Sequence, residues 1–350
     1  MRVLVTGGLG FIGSAAIRYL LTVTDHEVLN VDNGGYAGSR ESVASVAQSR
    51  RYHHLVADVT DRSAMVDGFA DFDPDAVLHL AAETHVDRSI TDPAAFVETN
   101  VVGTFTLLEV ARSHFAGLPS WRQDRFRFVH VSTDEVFGSL APTDPPFSEE
   151  SNYAPRSPYA ASKASSDHLA AAWYHTFGLP VVVTNCSNNY GPYQFPEKLI
   201  PLMVARAVQQ KRLPIYGRGD QVRDWLHVDD HARGLVAVLE HAEPGERFAI
   251  GGNSERTNLE VVETLCRLLD ERRPEGAPHG RLIDFVVDRP GHDRRYAMDH
   301  SQIRRRLGWE PSFSFTEGLA MTIDWYLRHE DWIEAVLEDG YNLERLGAIS

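Results

Sequence analysis

Six short apolar runs, each followed by a segment of helix length, dominate the first half of this 350-residue sequence. The runs are rich in Val and Leu and read RVLVTGG, EVLNVDN, YHHLVADV, AVLHLAA, FRFVHVS and VVVTNCS. Uniformly apolar strands that alternate with helices indicate a parallel sheet covered on both faces and joined by right-handed crossovers. We therefore predict an α/β fold with a doubly wound parallel sheet, whose ligands bind beyond the carboxyl ends of the strands.

The pattern changes after about residue 190 to isolated strands, Pro-rich turns and helices. One such helix is expected over residues 257–273, where Thr257 and Glu260 have the spacing of a capping box. We predict a smaller C-terminal α/β lobe that binds substrate. The expected division assigns residues 1–188 and about 225–250 to a dinucleotide-binding domain, and residues 189–224 and about 251–350 to the lobe.

Composition excludes several classes of partner. With 34 basic and 49 acidic residues and a net charge of −15, binding to nucleic acid or to an acidic membrane is not expected. Cys186 and Cys266 lie far apart, so neither a disulfide framework nor a metal site is predicted, and a reducing cytoplasm is expected. The N-terminus enters a strand directly and no apolar run approaches about 18 residues, so no export signal or membrane span is expected.

A glycine-rich turn follows the first predicted strand and opens a helix. It reads TGGLGFIG, with Gly7, Gly10 and Gly13 at the positions where a dinucleotide's pyrophosphate approaches the backbone. Asp32 ends the second strand, where a carboxylate accepts from ribose hydroxyls and repels a 2′-phosphate, so NAD is favoured over NADP. Asp58 and Val59 suit the adenine end, although a structural turn aspartate is nearly as good an interpretation.

Tyr159 and Lys163 are four residues apart at the start of a predicted helix, so both lie on one face. A tyrosine takes a proton from a sugar hydroxyl only if its pKa falls from about 10 toward neutrality. The lysine ammonium, together with a positive nicotinamide ring, could lower it. The alternative is an ordinary amphipathic helix start.

The stretch STDEVFG, residues 132–138, places Thr133, Asp134 and Glu135 where the fifth strand ends. A solvated turn is the simplest interpretation of two adjacent acids. Beside a dinucleotide site, however, Glu135 suits a base that removes a proton from a sugar carbon, and Asp134 suits the acid that assists loss of water. For that role Asp134 must keep its proton, which burial and the charge of Glu135 both favour.

The glycine turn, Asp32, Thr133 and the Tyr159–Lys163 pair together resemble the extended short-chain dehydrogenases/reductases over about residues 1–330. Within that superfamily the chain resembles the dTDP-glucose 4,6-dehydratases. The resemblance implies a Rossmann-type NAD domain, the substrate dTDP-glucose, a homodimer, and a catalytic set of Thr133, Asp134, Glu135, Tyr159 and Lys163. GDP-mannose dehydratases are similar but usually have serine at position 134.

The resemblance also implies two sets of binding residues. The expected NAD contacts are Gly7, Gly10, Phe11, Ile12, Gly13, Asp32, Asn33, Asp58, Val59, Leu80, Ala81, Ala82, Thr84, Thr99, Tyr159, Lys163 and Asn189. The expected substrate contacts are Thr84, His85, Thr133, Asn188, Lys198, Leu199, Pro214, Tyr216, Arg223, Asn258, Arg289 and His292. For His85 a structural role is about as good an interpretation as a substrate contact.

Departures from the family pattern include Phe137 where tyrosine is usual, Gln194 for histidine and His227 for tyrosine. None of them removes a proposed catalytic group. Two other functions remain open from sequence: a sugar-nucleotide 4-epimerase on the same fold, and a non-catalytic NAD-binding protein. The small-residue helix expected over residues 160–177 offers a surface for a second copy of the chain.

Overall fold

A parallel sheet of seven strands forms the centre of the computed structural model, which describes residues 1–288 and 291–338. The strands of the described chain are β1 Arg2–Thr6, β2 Glu27–Asp32, β3 Tyr52–Val56, β4 Ala76–His79, β5 Arg127–Thr133, β6 Val181–Cys186, β7 Asn188–Tyr190, β8 Leu213–Tyr216, β9 Val222–His227, β10 Arg247–Ile250, β11 Glu255–Thr257 and β12 Ile283–Val286. Arg289, an expected substrate contact, lies outside the described residues.

The helices alternate with the strands in the first half of the chain. They are α1 Phe11–Val23, α2 Arg62–Phe72, α3 Val86–Thr91, α4 Pro93–Phe96, α5 Thr104–Gly117, α6 Ser120–Gln123, α7 Pro158–Phe177, α8 Leu199–Val208, α9 Val228–His241, α10 Asn258–Arg272, α11 Ser301–Leu307, α12 Phe315–Arg328 and α13 Glu330–Glu338. A π-helical stretch, Val97–Gly103, joins α4 to α5, and a 3₁₀ turn, Asp134–Phe137, follows β5.

The seven strands of the main sheet lie in the order β10, β6, β5, β4, β1, β2, β3, and every neighbouring pair is parallel. The predicted doubly wound α/β fold is confirmed. Because the strands are parallel, their carboxyl ends meet at one edge of the sheet. Thr6, Asp32, His79, Thr133 and Cys186 are the last residues of five of these strands.

Helices bury both faces of the main sheet. On one face α1 and α9 contribute Ile17, Leu20, Leu235 and Leu239 to a core in which each of these side chains is at most 1% exposed. On the other face α2, α5 and α7 pack over β4 and β5. Burying a side chain of this size stabilises a fold by about 1.5–3 kcal/mol. Covered faces leave the strand ends as the accessible polar edge of the sheet.

The second half of the chain builds two small sheets, β11–β9–β7 and β12–β8, against α8, α10 and α12. The expected capping box is present: Thr257 Oγ1 accepts from Glu260 N at 3.1 Å, and Glu260 Oε2 accepts from Thr257 N at 2.7 Å. Strand β10 returns to the main sheet, and Ile303 and Trp309 also pack into a main-sheet core. The division into two lobes stays a prediction.

The segment Pro93–Gly117 has the length and apolar composition of a membrane-spanning helix, with a mean hydropathy of 1.2. Half of its most apolar window is buried inside the fold, as expected for a core helix. Its composition therefore carries no assignment to a membrane.

Candidate active site

A cavity of about 330 Å³ opens at the carboxyl edge of the main sheet. The walls combine the glycine turn, the loops after β2, β3 and β4, the end of β5, the start of α7 and residues 186–198. Many residues expected from sequence line it: Gly7, Gly10, Phe11, Ile12, Gly13, Asp32, Asn33, Asp58, Val59, Leu80, Ala81, Ala82, Thr84, Thr99, Thr133, Asp134, Glu135, Tyr159, Lys163, Asn188, Asn189 and Lys198. The fold brings these residues to one site from eight separate stretches of the chain.

The glycine turn leaves no room for side chains. Gly7 has a φ of +71°, and a Cβ atom there would lie 2.7 Å from the Ala81 backbone nitrogen. A Cβ atom at Gly13 would lie 2.2 Å from the Gly7 carbonyl oxygen. Gly10 caps α1 without a side-chain hydrogen bond, so the first N–H groups of the helix face the cavity side of the turn. This arrangement fits the pyrophosphate of a dinucleotide.

Asp32 is held in place by the backbone. Its Oδ2 accepts from Leu9 N at 2.9 Å and its Oδ1 accepts from Gly34 N at 2.8 Å. A carboxylate offers about four lone-pair sites, so capacity for two ribose hydroxyls remains. Asn33 donates to Asp58 Oδ2 at 2.8 Å. Burial alone would raise the pKa of Asp58, but hydrogen bonds from Thr60 and Asn33 hold it below its usual value.

The end of β5 and the residues that follow it contribute polar side chains to the lining of the cavity. Thr133 Oγ1 accepts from the backbone N–H of Glu135 and donates to Asp134 Oδ1, both at 3.2 Å. These bonds begin the 3₁₀ turn that presents the two acids. Gly138 ends the turn with a φ of +83°, and a Cβ atom there would lie 2.5 Å from the Ala154 carbonyl oxygen.

The surroundings of Asp134 favour the protonated form of its carboxyl group. Its side chain is buried, and Oδ2 accepts no hydrogen bond from the residues that the structure describes. Burial, and then the negative charge of Glu135, raise the pKa of Asp134 well above its usual value, while Arg223 opposes the shift. The direction and both causes agree with those expected from the sequence.

The pKa of Tyr159 depends on its surroundings. Burial, and then the charge of Glu135, raise the pKa of Tyr159 well above 10. Without a nicotinamide ring the low-dielectric interior and the nearby acid prevail, and the expected lowering by Lys163 together with that ring stays a prediction. The Lys163 ammonium donates to the Val131 carbonyl at 2.8 Å. Any lowering of the tyrosine pKa must therefore come with a bound positive ligand.

Several expected substrate residues gather outside the cavity lining. Arg223 stacks over Tyr296, 4.3 Å from the ring centroid, and donates to the Asp293 carbonyl at 3.0 Å. The rings of Tyr216 and His292 are in an edge-to-face arrangement, with 6.3 Å between their centroids. The remaining expected contacts begin helices or lie in a strand of this lobe: Leu199 begins α8, Pro214 lies in β8 and Asn258 begins α10.

Three predicted ligand residues already have protein partners. His85 Nδ1 accepts from Arg88 N at 3.3 Å and so caps α3, which supports its structural interpretation. The Asn189 side-chain amide accepts from His231 at 2.9 Å and donates to the Ser187 carbonyl at 2.9 Å. Lys198 donates to the Thr84 carbonyl at 3.1 Å. The amide of Asn189 is thus a structural link as well as part of the cavity wall.

Sequence reasoning missed part of the cavity lining. Tyr36 donates to Glu197 at 3.0 Å across the cavity, and Arg88 donates to the same carboxylate at 3.3 Å. Glu197 precedes the predicted Lys198, which was a usable signal, but nothing local marked Tyr36. The unexplained Phe137 packs 5.1 Å from Phe147 and 5.2 Å from Tyr153 between ring centroids, so a hydroxyl is not needed there.

Comparisons with known proteins point in one direction. The model of the GDP-mannose 4,6 dehydratase family matches residues 4–322. dTDP-glucose 4,6-dehydratase 1 of Escherichia coli K12 is 54% identical over 349 residues, covering 97% of each chain. The solved dTDP-glucose 4,6-dehydratase DesIV of Streptomyces venezuelae has a TM-score of 0.88 and 44% identity, covering 96% of this chain and 100% of its own. That of Bacillus anthracis, in complex with NAD, has a TM-score of 0.85 and 42% identity, covering 96% and 99%.

The glycine turn generates a test of the cofactor site. Gly7→Ala is expected to raise the dissociation constant for NAD at least about tenfold, because a left-handed φ and a backbone clash cost about 1–3 kcal/mol. Isothermal titration of the purified protein measures it. Gly117→Ala is the matched control, since a Cβ atom there meets nothing within 4 Å. Unchanged NAD affinity in folded Gly7→Ala protein would refute the assignment.

Proposed function

The chain belongs to the dTDP-glucose 4,6-dehydratase family, and we propose that it converts dTDP-glucose to dTDP-4-keto-6-deoxyglucose and water. The observation that carries the proposal is a buried Asp134, whose pKa is raised by burial and by Glu135, at the strand end that also holds Thr133. A simple dehydrogenase needs no such acid pair. Identity of 54% over 97% of a named dehydratase supports the same reaction.

The glycine turn, Asp32 and the cavity walls provide the shape and hydrogen-bonding capacity for NAD, the cofactor of this family of enzymes. When bound, NAD accepts a hydride from carbon 4 of the sugar and returns it at carbon 6. The chain must hold that cofactor through the whole cycle, because the net reaction leaves it unchanged. Tyr36 and Glu197 line the cavity and are joined by a hydrogen bond, and Arg88 donates to the same Glu197 carboxylate; this linked wall supports retention of the cofactor.

Two groups of side chains divide the proton transfers. Tyr159 accepts the proton of the carbon 4 hydroxyl, with Thr133 as the neighbouring hydroxyl and Lys163 as the nearby positive charge. Once carbon 4 is a ketone, the proton at carbon 5 becomes acidic and Glu135 removes it. Asp134 gives its proton to the hydroxyl that leaves carbon 6 as water. Glu135 then returns a proton to carbon 5, and the proton that Tyr159 gained and the proton that Asp134 lost are exchanged through solvent, which restores both groups.

The expected substrate residues fall into two groups, one for the sugar diphosphate and one for the nucleoside. We propose that Thr84, Asn188, Lys198 and Leu199 contact the sugar diphosphate, and that Arg223 binds the diphosphate by donating hydrogen bonds while staying charged. Pro214, Tyr216, Asn258 and His292 form the nucleoside end of the site. Tyr216 and His292 support this role because their rings lie in an edge-to-face arrangement.

We also propose that the protein acts in the cytoplasm as a homodimer and binds neither nucleic acid nor membranes. Both cysteines are buried and unpaired, and the net charge is −15. Helices α5 and α7 lie side by side and expose Phe105 and Phe177, whose rings each contact Trp173 between them. A second copy of this pair would complete a four-helix interface.

Product analysis tests the reaction directly. Incubation with dTDP-glucose and NAD is expected to give a product lighter by one water, measured by mass spectrometry. Substrate deuterated at carbon 4 should give product deuterated at carbon 6. An unchanged product mass would indicate an epimerase, and loss of the deuterium to solvent would exclude internal hydride return.

Substitution of the acid pair separates the two half-reactions. Asp134→Asn and Glu135→Gln are expected to lower kcat by about 10²–10⁴-fold, since each removes a positioned acid or base. Oxidation should proceed, so nicotinamide absorbance should show reduced cofactor accumulating on the enzyme. Glu149→Gln, a carboxyl with a raised pKa outside the cavity, is the matched control. Equal loss of both half-reactions would reduce the pair to a structural role.

The proposed interface predicts an effect on mass in solution. Phe105→Arg places a charge on the exposed α5–α7 surface and should convert a dimer to a 39.1 kDa monomer, measured by light scattering. Val23→Arg, at the exposed end of α1, should leave the dimer intact. A dimer that survives Phe105→Arg would place the interface elsewhere.

A further inference from the structure

A buried carboxylate, Asp167, lies one helical turn beyond Lys163 on α7 and is not among the described residues that line the cavity. Its side chain has three polar partners. Oδ2 accepts from Tyr153 Oη at 2.7 Å and from Asn185 Nδ2 at 3.2 Å, and Oδ1 accepts from His130 Nε2 at 3.0 Å. Three donors are the arrangement that keeps a buried carboxylate ionised.

Lys163 needs such a charge. It is 4% exposed, and the hydrogen bond from its ammonium to the Val131 carbonyl supplies no negative charge. A buried ammonium without a counter-charge loses its proton. Burial lowers the pKa of Lys163, and Asp167 is the strongest opposing influence. Burial alone would raise the pKa of Asp167, but His130, Lys163 and Tyr153 lower it.

Four other titratable groups around Lys163 have pKa values shifted in the direction that favours their neutral forms. His130 on β5 and His79 on β4 both have lowered pKa values, because burial disfavours their charged forms. Burial also raises the pKa of Cys186 on β6 and of Tyr159 on α7, which keeps both protonated at neutral pH. Glu135 after β5 also carries a negative charge, which acts on Tyr159, whereas the carboxylate that raises the pKa of Lys163 is Asp167.

A second link runs from Asp167 to the reacting end of β5. Asn185 Nδ2, which donates to Asp167, also donates to the Thr133 carbonyl at 3.1 Å. One amide group therefore joins the carboxylate to the residue that precedes the acid pair. Tyr153, the third partner, packs against Phe137 from the same turn.

We propose that Asp167 is a positioning residue for this reaction: it is the buried counter-charge of Lys163 and, through Asn185, it anchors the strand end that carries Thr133. Its effect on catalysis rests on the proposed function, whereas its effect on Lys163 does not. Asp167 does not line the cavity of the candidate active site, and it acts through these two residues.

The sequence makes the effect on Lys163 directly measurable, because the chain contains three lysines: Lys163, Lys198 and Lys211. In NAD-saturated protein carrying ¹³C-labelled lysine, three signals can be titrated by NMR, and Lys163→Met identifies one of them by its loss. Asp167→Asn is expected to lower the Lys163 midpoint by roughly one to two pH units, the effect of removing one charge a helical turn away. An unchanged midpoint would overturn the proposal.

The pH dependence of kcat/KM gives a second test. In Asp167→Asn the fall of kcat/KM on the alkaline side should move to lower pH together with the NMR midpoint. Asp230→Asn is the matched control: Asp230 is equally buried and accepts from Arg233 and Ser312, each at 2.8 Å, outside the cavity. It should lower Tm without moving either pH value. A wild type inactive on dTDP-glucose would refute the proposed function, while the Lys163 midpoint would still decide the role of Asp167.

A stability cycle covers the case in which Asp167→Asn folds poorly. Removing one member of a buried charge pair is strongly destabilising because the other charge stays uncompensated. Lys163→Met combined with Asp167→Asn should therefore have a higher Tm, or a higher folded yield, than Asp167→Asn alone. Lys163→Met combined with Asp230→Asn should show no such rescue. Additive losses in both pairs would refute the counter-charge.

Discussion

A parallel sheet covered on both faces leaves its strand ends as the place for polar chemistry, and this constraint shapes the whole molecule. The carboxyl ends of β1, β4, β5 and β6 meet at one edge, so the glycine turn, Thr133 and Cys186 become neighbours without any long excursion of the chain. Helix α7 crosses the same edge and adds Tyr159 and Lys163. The cavity is a consequence of the topology, and residues 186–198 complete its walls.

Burial at that edge shifts the pKa values of three groups of the site, with different results. It raises the pKa of Asp134, which a proton donor needs, and it also raises the pKa of Tyr159, which a base does not need. It lowers the pKa of Lys163. Where burial shifts a pKa away from the value that the proposed reaction needs, a specific nearby charge must therefore oppose that shift. Asp167 does so for Lys163, and a positive ligand beside Tyr159 is required for the tyrosine.

The sequence was sufficient where a residue's position follows from local pattern and the strand-end rule. Gly7, Asp32, Thr133 and Lys163 were placed in this way, and the structure brings them to one cavity. The sequence was insufficient where the burial of a side chain determines its pKa, as for Tyr159. It also failed for contacts between distant segments: Tyr36 meets Glu197 across 161 residues of chain, and no local pattern reports such a pairing.

Glu135 links the two halves of the proposed reaction electrostatically. Its negative charge is a cause of the raised pKa of both Asp134 and Tyr159. In the proposed mechanism Glu135 becomes neutral when it takes the proton from carbon 5, the negative charge passes to the enolate of the sugar, and the contribution of Glu135 to the raised pKa of Asp134 and of Tyr159 is lost. Asp134 thus becomes a stronger acid at the step in which it must give its proton to the leaving hydroxyl. A base and an acid adjacent in sequence therefore help to time the elimination through charge alone, without movement of the backbone.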